Sequence, residues 1–434
     1  MEIAIGVLIL IAALLIGVPV PFCFGLSVVW LTFALDINPA FYYGMTYQNL
    51  ASVVLLAIPL FIMAGGIIER GKIGEVLVNW VMLFLGRVRG ALGVVGVVSS
   101  AVFSSICGSG AATISCIGSI LAPQMKKKGY PMGKCAAIVC CAGPLGLVLP
   151  PSATQILVAW VGGLSVLACF LAIVFPGLIL TGFLAVGAFI LLKSHNIVDA
   201  DSVPKERFLR ELGKRTFTAI PALLMPVIIL GGIYGGFMTP TEAAGISVFY
   251  AIPVGLFIYR GLNLRGLGEA FVKTATTTGV IMVMIGVAVV FSNILLRQGM
   301  ATALMDLLLD FSENRIVIMF MINLIMLLLA AIMDDVSATL ICVPMLLPVI
   351  RSLGVSPYQF AAILGVNIAM GNITPPTAPF VFLAARIFNV EVSEMMKPVA
   401  FLMLFCHFPV LMMTTYIPEL STWLPAMVIG ERFG

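Results

Sequence analysis

Apolar segments of about 20 residues, the length that spans a bilayer as a helix, follow one another along almost the whole chain. Of the 434 residues, 61% are hydrophobic and 10% are charged, with a mean hydropathy of +1.17. An average soluble domain has about 25% charged residues. A soluble enzyme, a nucleic-acid-binding protein and a disordered chain are therefore excluded. The sequence predicts an all-α polytopic membrane protein, and the start at Met1 reads as a first membrane helix, since it lacks the basic segment of a cleaved signal.

The two halves of the chain resemble each other on either side of one polar stretch, 193–215. A shift of 225 places 120–138 on 345–363 and Pro150-Pro151-Ser152-Ala153 on Pro375-Pro376-Thr377-Ala378, and a shift of 220 places 25–28 on 245–248. Three matches in one order at nearly one offset indicate an internal duplication. We expect repeat 1 over 1–192, a linker over 193–215 and repeat 2 over 216–434.

The placement of Lys and Arg predicts the orientation of these repeats. Arg87 and Arg89 precede an apolar segment that ends at Lys126–Lys128, so both ends favour the cytoplasm. We expect a re-entrant hairpin over about 90–127 with its tip near 104–110, and a second one over about 314–350, entering from the outside, with its tip near 334–338. With the N-terminus outside, nineteen Lys and Arg residues lie inside and four lie outside. The repeats are then inverted and the linker is cytoplasmic.

Four stretches rich in Gly, Ser, Pro or Asp interrupt the apolar pattern, two in each repeat. They are the two hairpin tips, 103–110 and 333–339, and two breaks, 143–152 and 370–377, within the helices 132–163 and 357–389. Free carbonyls at such breaks suit Na⁺, and half-helix N-termini suit a carboxylate. The pattern predicts two cation sites around one anion site. The alternative is that these residues only permit kinks and close packing.

Asp334 and Asp335 are the only adjacent carboxylates in an apolar stretch, and intramembrane acids are usually functional. One of these two acids could complete a Na⁺ site or accept a hydrogen bond from a substrate hydroxyl, or it could cap a half-helix. Glu242 is expected to complete a capping box with Thr239 or Thr241. Several other residues have structural interpretations. Glu69 and Arg70 read as interfacial anchors, His195 and His407 lack metal-binding neighbours, and the nine cysteines read as buried small hydrophobes.

These segments resemble the large membrane subunit of TRAP (tripartite ATP-independent periplasmic) transporters over nearly the full length. The resemblance rests on Ile58-Pro59-Leu60-Phe61 through Gly71, on 103–118, on 145–152, on the run from Gly231 to Ala244, on Met333-Asp334 and on 371–376. It implies an elevator-type transporter of the ion-transporter superfamily in the bacterial inner membrane. The implied Na⁺ ligands are Ser104, Ser105, Gly108, Ser109, Gly146 and Pro150 at one site, and Asp334, Ser337, Gly371 and Thr374 at the other. The implied substrate residues are Ser109, Ser152 and Asp334.

The same resemblance implies Na⁺-driven uptake of an organic acid. The expected partners are a small four-helix membrane subunit as a separate chain and a periplasmic substrate-binding protein. Overall likeness favours sialic acid, with C4-dicarboxylates as the second choice. A stand-alone Na⁺/dicarboxylate symporter is the alternative function. An intramembrane enzyme fits less well, because no HExxH motif occurs and the two acids are neighbours rather than partners on different helices. A channel fits less well because re-entrant tips paired with broken helices favour a carrier that occludes its substrate.

Overall fold

The computed structural model describes residues 2–85, 90–193 and 205–430, with the backbone alone for 205–209. Within these ranges every regular element is a helix, and nine helical segments are long and apolar enough to cross a membrane. The predicted all-α polytopic class is confirmed. Arg87, Arg89, His195, Arg432 and residues 194–204 of the predicted linker lie outside the described residues.

The first half of the described chain consists of helices joined by short turns. Its helices are Glu2–Leu15, Val20–Ala34, Ala40–Leu50, Ala57–Arg70, Ile73–Leu85, Ala91–Cys107, Gly110–Lys127, Met132–Ala142, Leu145–Val148, Ala153–Gly162 and Val166–Leu192. A 3₁₀ turn, Val53–Leu56, leads into Ala57–Arg70. The sequence analysis did not predict the helices Ala40–Leu50 and Ile73–Leu85. It relied on apolar segments of about 20 residues, and these helices are shorter.

The second half begins earlier than the sequence suggested. Its helices are Lys205–Tyr234, Pro240–Pro253, Leu264–Arg297, Met300–Phe311, Arg315–Ile332, Asp335–Ser352, Pro357–Gly371, Pro379–Phe388, Val392–Leu402, Phe408–Tyr416 and Glu419–Ile429. Helix Lys205–Tyr234 starts inside the predicted linker 193–215. This stretch contains Lys, Glu, Arg and Leu, which are good helix formers. Its polarity therefore does not show where the helix begins.

Two helical hairpins are present, one in each half of the described chain. Hairpin 1 consists of Ala91–Cys107 and Gly110–Lys127, and hairpin 2 of Arg315–Ile332 and Asp335–Ser352. In hairpin 1 the chain reverses at Gly108, whose φ of +59° favours glycine. The second helices of the two hairpins begin at Gly110 and Asp335, which are 225 residues apart. This separation equals the offset of the sequence repeat, while the direction of each hairpin across the membrane stays a prediction.

Each hairpin is followed by an interrupted helix. Break 1, residues 143–152, separates Met132–Ala142 from Ala153–Gly162 and contains only the short turn Leu145–Val148. Break 2, residues 372–378, separates Pro357–Gly371 from Pro379–Phe388. Prolines end the helical hydrogen bonding in both breaks because they have no N–H to donate. The Pro150–Pro151 and Pro375–Pro376 peptide bonds are both cis.

The hairpins pack across the two halves of the chain. Helix Gly110–Lys127 of hairpin 1 packs on Pro379–Phe388, which follows break 2, and helix Asp335–Ser352 of hairpin 2 packs on Ala153–Gly162, which follows break 1. Two further helices, Ala57–Arg70 and Leu264–Arg297, pack on each other and border the hairpins. We call this pair the wall helices. Both hairpin tips thus lie beside one pair of helices.

Candidate functional site

The tip of hairpin 1 lies directly against break 1. A Cβ atom added to Gly146 would lie 2.5 Å from the carbonyl carbon of Ser109 and 2.7 Å from the amide nitrogen of Gly110. A Cβ atom added to Gly108 would lie 2.5 Å from the carbonyl oxygen of Pro151. Both positions therefore require glycine. The structure brings these members of the predicted first site together through their backbones.

Hydroxyl groups form a chain behind this tip. Thr113 donates a hydrogen bond to the carbonyl oxygen of Ser109 at 2.9 Å, and its own hydroxyl oxygen lies 3.1 Å from that of Ser104. Ser104 and Thr113 are both fully buried. Ser105 points elsewhere and donates to the carbonyl oxygen of Val102 at 2.7 Å. Ser104 thus belongs to the cluster, Ser105 does not, and Thr113 is a member that the sequence analysis missed.

Ser152 has a different environment from the one predicted. Its side chain is fully buried, and its hydroxyl donates to the carbonyl oxygen of Leu147 at 2.7 Å. The same oxygen accepts from the amide of Gln155 at 3.4 Å and caps helix Ala153–Gly162. Pro150 lies two residues earlier, within break 1. Ser152 therefore stabilises the break from behind, and a direct substrate contact would need this hydroxyl to leave its partner.

The tip of hairpin 2 is built around Asp334. One carboxylate oxygen accepts from the amide of Val336 at 3.2 Å, and the other accepts from the hydroxyl of Ser337. The sulfur of Met284, on a wall helix, lies 3.0 Å from the same hydroxyl oxygen. Asp334 is thus the N-cap of helix Asp335–Ser352, one of the roles that the sequence left open. A role in binding sodium or substrate stays a prediction.

Break 2, together with Gly371 directly before it, lies against the end of the first helix of hairpin 2. A Cβ atom added to Gly371 would lie 2.7 Å from the carbonyl carbon of Ala330, and the hydroxyl of Thr377 donates to the carbonyl oxygen of Ala331 at 2.7 Å. Thr374 donates to the carbonyl oxygen of Met370 at 2.7 Å, inside its own helix turn. Gly371 therefore contacts the hairpin, whereas no hydrogen bond of the described residues joins the hydroxyl of Thr374 to Asp334.

A cavity of about 310 Å³ opens between the tips and the wall helices. This volume is at the small end of the range of about 300–1,000 Å³ that ligand pockets occupy. Hairpin 1 contributes Ser109 and Ser115, hairpin 2 contributes Asp335, and the wall helices contribute Thr274 and Thr277. Both hairpin tips therefore face one enclosed volume. Sequence motifs located the tips, but nothing in the sequence showed which helices complete the cavity.

Ion pairs between the wall helices lie at one end of the cavity. Arg70 donates to the carboxylate of Glu269, and the ammonium nitrogen of Lys273 lies 3.7 Å from a carboxylate oxygen of Glu69. Arg70, Glu69 and Lys273 all line the cavity. Glu69 and Arg70 were interpreted as interfacial anchors, but the structure gives them partners on the second wall helix. The charges are separated by more than 190 residues in sequence, so no local signal could have paired them.

The remaining singled-out residues have structural roles. Glu242 and Thr239 form the predicted capping box, with the Thr239 amide donating to Glu242 at 2.8 Å. His407 is buried against the carbonyl oxygen of Cys141 at 3.1 Å. Within the described residues no group of three or more His, Cys, Asp or Glu side chains is placed to hold a metal ion. All nine cysteines are buried and free.

Interrupted helices from two halves of a chain that meet beside a cavity are an arrangement by which many secondary transporters build a binding site inside the membrane. The fold and the site therefore define the class of this protein as a membrane transport permease. Comparison with known proteins narrows the class. Residues 7–420 match the sequence profile of the tripartite ATP-independent periplasmic transporter, DctM component. The chain belongs to this family and is a transporter permease, not an enzyme.

Relatives that are about 30% identical to this chain are named after different substrates. The isethionate TRAP transporter permease protein DctMQ of Oleidesulfovibrio alaskensis is 33% identical over 94% of this chain, which spans only 64% of that relative. The C4-dicarboxylate TRAP transporter large permease protein DctM of Rhodobacter capsulatus is 29% identical, over 96% of this chain and 98% of the relative. The sialic acid TRAP transporter large permease protein SiaM of Vibrio cholerae is 31% identical, over 87% of each chain. These identities do not single out one substrate.

The fold itself has a counterpart among solved structures. The crystal structure of the YdaH transporter of Alcanivorax borkumensis superposes with a TM-score of 0.61, covering 89% of this chain and 91% of that one. The sequences are 16% identical, so the likeness concerns the fold alone. It supports the polytopic helical fold.

Proposed function

We propose that this chain takes up an organic acid by Na⁺-coupled secondary transport, as the large membrane subunit of a tripartite system. One observation carries the proposal. The N-terminus of helix Gly110–Lys127, capped by Ser109, opens into the cavity that both hairpin tips border. The positive end of a helix dipole favours a carboxylate. Sialic acid and C4-dicarboxylates both contain a carboxylate. The helix N-terminus alone therefore favours neither of the two acids.

Sodium is assigned to the contacts between the tips and the breaks. At the first, the hydroxyls of Ser104 and Thr113 and the carbonyl oxygen of Ser109 cluster within hydrogen-bonding distance. At the second, the carboxylate of Asp334 and the hydroxyl of Ser337 lie together. Clustered hydroxyl, carbonyl and carboxylate oxygens are the hard ligands that such a cation prefers. Each donor set therefore suits Na⁺, the ion that would be carried together with the acid.

The proposed transport cycle moves the hairpins and interrupted helices against the wall helices, as in an elevator. The cavity lies at the boundary between these two groups. Its ion-paired end, at Glu69 and Lys273, lies on the side predicted to be cytoplasmic. The cavity would then open towards the cytoplasm. In this orientation the N-terminus lies in the periplasm.

This orientation can be tested by labelling single added cysteines, because the native cysteines are all buried. Lys127 and Asp310 are both exposed. We expect Lys127→Cys to react only from the cytoplasm and Asp310→Cys only from the periplasm. The reverse pattern would overturn the orientation.

The proposed partners are a small four-helix membrane subunit, as a separate chain, and a periplasmic binding protein. The family's description as one component of a tripartite periplasmic transporter supports both. The relative named DctMQ is longer than this chain, which covers 64% of it. Its name suggests that the two membrane subunits are joined in that protein. A stand-alone Na⁺/dicarboxylate symporter, the alternative function, has less support because the family profile describes tripartite systems.

The decisive experiment reconstitutes the full chain in liposomes with its small subunit and an acid-loaded binding protein. Sialic acid, succinate and isethionate are the probes. We expect uptake of at least one acid to follow an inward Na⁺ gradient and to vanish when K⁺ replaces Na⁺. Asp334→Asn should abolish this uptake, whereas Asp310→Asn, at an exposed acid outside the site, should not. Uptake that is indifferent to the Na⁺ gradient would refute the coupling.

A further inference from the structure

A second cavity lies at the far end of one wall helix. Helix Leu264–Arg297 lines the cavity at the hairpin tips with residues between Ala270 and Ile281. From Asn293 onwards it lines another groove, of about 490 Å³. Ile281 and Asn293 are 12 residues apart, or about 18 Å along the helix. The two cavities share no lining residue, so the second one, which we call the end groove, is a separate site.

The end groove lies at a membrane boundary. Helix Leu264–Arg297 has 34 residues and a length of about 51 Å, so both of its ends can project from a hydrocarbon core of about 30 Å. Arginine is costly inside hydrocarbon, so Arg297 marks one of these ends. Helix Ala40–Leu50, which also borders the groove, exposes Tyr43 by 79% and Tyr47 by 76%. Exposed tyrosines are typical of the interface, so the groove lies at the level of the lipid headgroups.

Arg297 gives the end groove a positive charge with free donors. Its guanidinium carbon lies 4.3 Å from the centroid of the Phe41 ring, a distance at which the aromatic face attracts a cation. Contact with a ring face occupies none of the five N–H donors of the guanidinium. Among the hydrogen bonds and ion pairs of the described residues, none involves this group. Phe41 therefore positions the guanidinium, and its donors are available to a ligand.

No acid in the end groove opposes this charge. None of the residues that line the groove is Asp or Glu. Asp36 precedes the lining residue Ile37, but no ion pair of the described residues joins its carboxylate to Arg297. Asn293 and Gln298, on the same helix as Arg297, add neutral amide groups. A single cation among neutral polar groups suits an anionic ligand.

We propose that the end groove binds the phosphate of a membrane glycerophospholipid. The guanidinium of Arg297 donates to two phosphate oxygens, because its planar fork matches their geometry. The acyl chains extend into the bilayer beside the adjacent Leu296, which is 42% exposed. A lipid is favoured over a soluble anion because the groove lies at the headgroup level. The bound lipid would brace the wall helix against Ala40–Leu50, on which it packs. This site goes beyond the proposed transport function and does not depend on it.

Binding of lipid to the purified full chain in detergent tests the proposal. The first probe is dioleoylphosphatidylglycerol. Dioleoylglycerol has the same acyl chains without the phosphate, and glycerol 3-phosphate has the phosphate without the chains. The Tm is measured against the concentration of each probe. We expect only the phospholipid to raise the Tm in a saturable manner, because only it offers both a phosphate and a membrane anchor.

Substitutions locate the binding to the end groove. Arg297→Gln removes the charge and should raise the half-saturating concentration of the phospholipid by at least about fivefold. Arg351→Gln is the matched control, because Arg351 is also exposed in the last turn of a helix but does not line the groove. It should leave the half-saturating concentration unchanged. Phe41→Leu removes the aromatic face, keeps the charge and should weaken binding by a smaller factor.

Each outcome bears on a separate claim, and the measurements on the wild type do not depend on any variant folding. An equal rise in Tm with dioleoylglycerol would show that acyl chains alone bind, and an equal rise with glycerol 3-phosphate would show a site for free anions. Either result would overturn the phospholipid. The absence of a saturable rise, or an unchanged half-saturating concentration in folded Arg297→Gln, would overturn the site itself. Na⁺-driven uptake in liposomes tests the proposed function independently of these results.

Discussion

Substitution of Gly146 by alanine tests whether the contact between tip 1 and break 1 forms a sodium site. The added Cβ atom would lie 2.5 Å and 2.6 Å from the carbonyl carbon and oxygen of Ser109 and 2.7 Å from the amide nitrogen of Gly110. All three are backbone atoms, which cannot rotate away as a side chain could. Ordinary carbon contacts are about 3.5–4.0 Å, so the tip must withdraw by roughly 1 Å.

Such a displacement has two measurable consequences. Overpacking of this kind costs about 1–3 kcal/mol of stability. Binding sites also need their ligands within about 0.5 Å of the productive geometry, so a shift of roughly 1 Å should remove Na⁺ affinity at this site. Because a ligand at 100 times its Kd stabilises the folded state by about 2.7 kcal/mol, loss of Na⁺ binding is visible as a loss of Na⁺-dependent stabilisation.

The assay compares thermal unfolding of the full chain in nanodiscs in NaCl and in KCl at equal ionic strength. The wild type should have a higher Tm in NaCl. Gly146→Ala should lower the Tm in KCl and lose part or all of the additional rise in NaCl. Gly182→Ala is the control, because a Cβ atom there has no neighbour within 4 Å. A Gly146→Ala protein with the full Na⁺-dependent rise would refute the assignment of sodium to this contact.

Three further predictions use the same protein preparation. Asp334→Asn should keep a fold close to the wild type but lose Na⁺-dependent stabilisation, and a normal rise in Tm would remove Asp334 from the cation site. Glu242→Ala opens the capping box and should lower the Tm slightly in either salt, and a loss of stability in NaCl alone would contradict its structural role. Asn323→Ala removes the bond of 2.7 Å that Asn367 donates to it, so buried polar groups lose partners at a cost of about 1–3 kcal/mol. A Tm equal to that of the wild type would show that the Asn323–Asn367 bond contributes nothing to stability.

Local chemistry explains which parts of the site could be predicted from the sequence. An aspartate before an apolar helix can act as its N-cap, and Asp334, for which this role was one of the expected alternatives, caps helix Asp335–Ser352. The Thr239–Glu242 capping box follows from a spacing of three residues. In each case the decisive hydrogen bond joins residues less than one helical turn apart. Sequence patterns report such contacts directly.

Distant contacts explain what the sequence did not predict. Lys273 faces Glu69 only because the two wall helices pack together. Thr113 lies inside hairpin 1, but its importance depends on how the hairpin brings its hydroxyl to Ser104. The start of helix Lys205–Tyr234 was missed because hydropathy reports the membrane boundary and not the helix boundary. Contacts between helices depend on tertiary packing, and a single sequence contains no periodic pattern that reports them.

The crossed packing of the two halves affects how the protein is made. Hairpin 1 ends at Lys127, but the helix on which it packs begins at Pro379, and Gly110 fits closely under the ring of Phe380. At a synthesis rate of about 5–20 residues per second, the ribosome needs roughly 15–50 s to supply that partner after the tip has emerged. During this interval the polar tip has to be sheltered from lipid by something other than its final neighbour. A truncated chain that ends before break 2 should therefore depend on the insertion machinery or on membrane chaperones, even though its first half contains a complete hairpin and a complete interrupted helix.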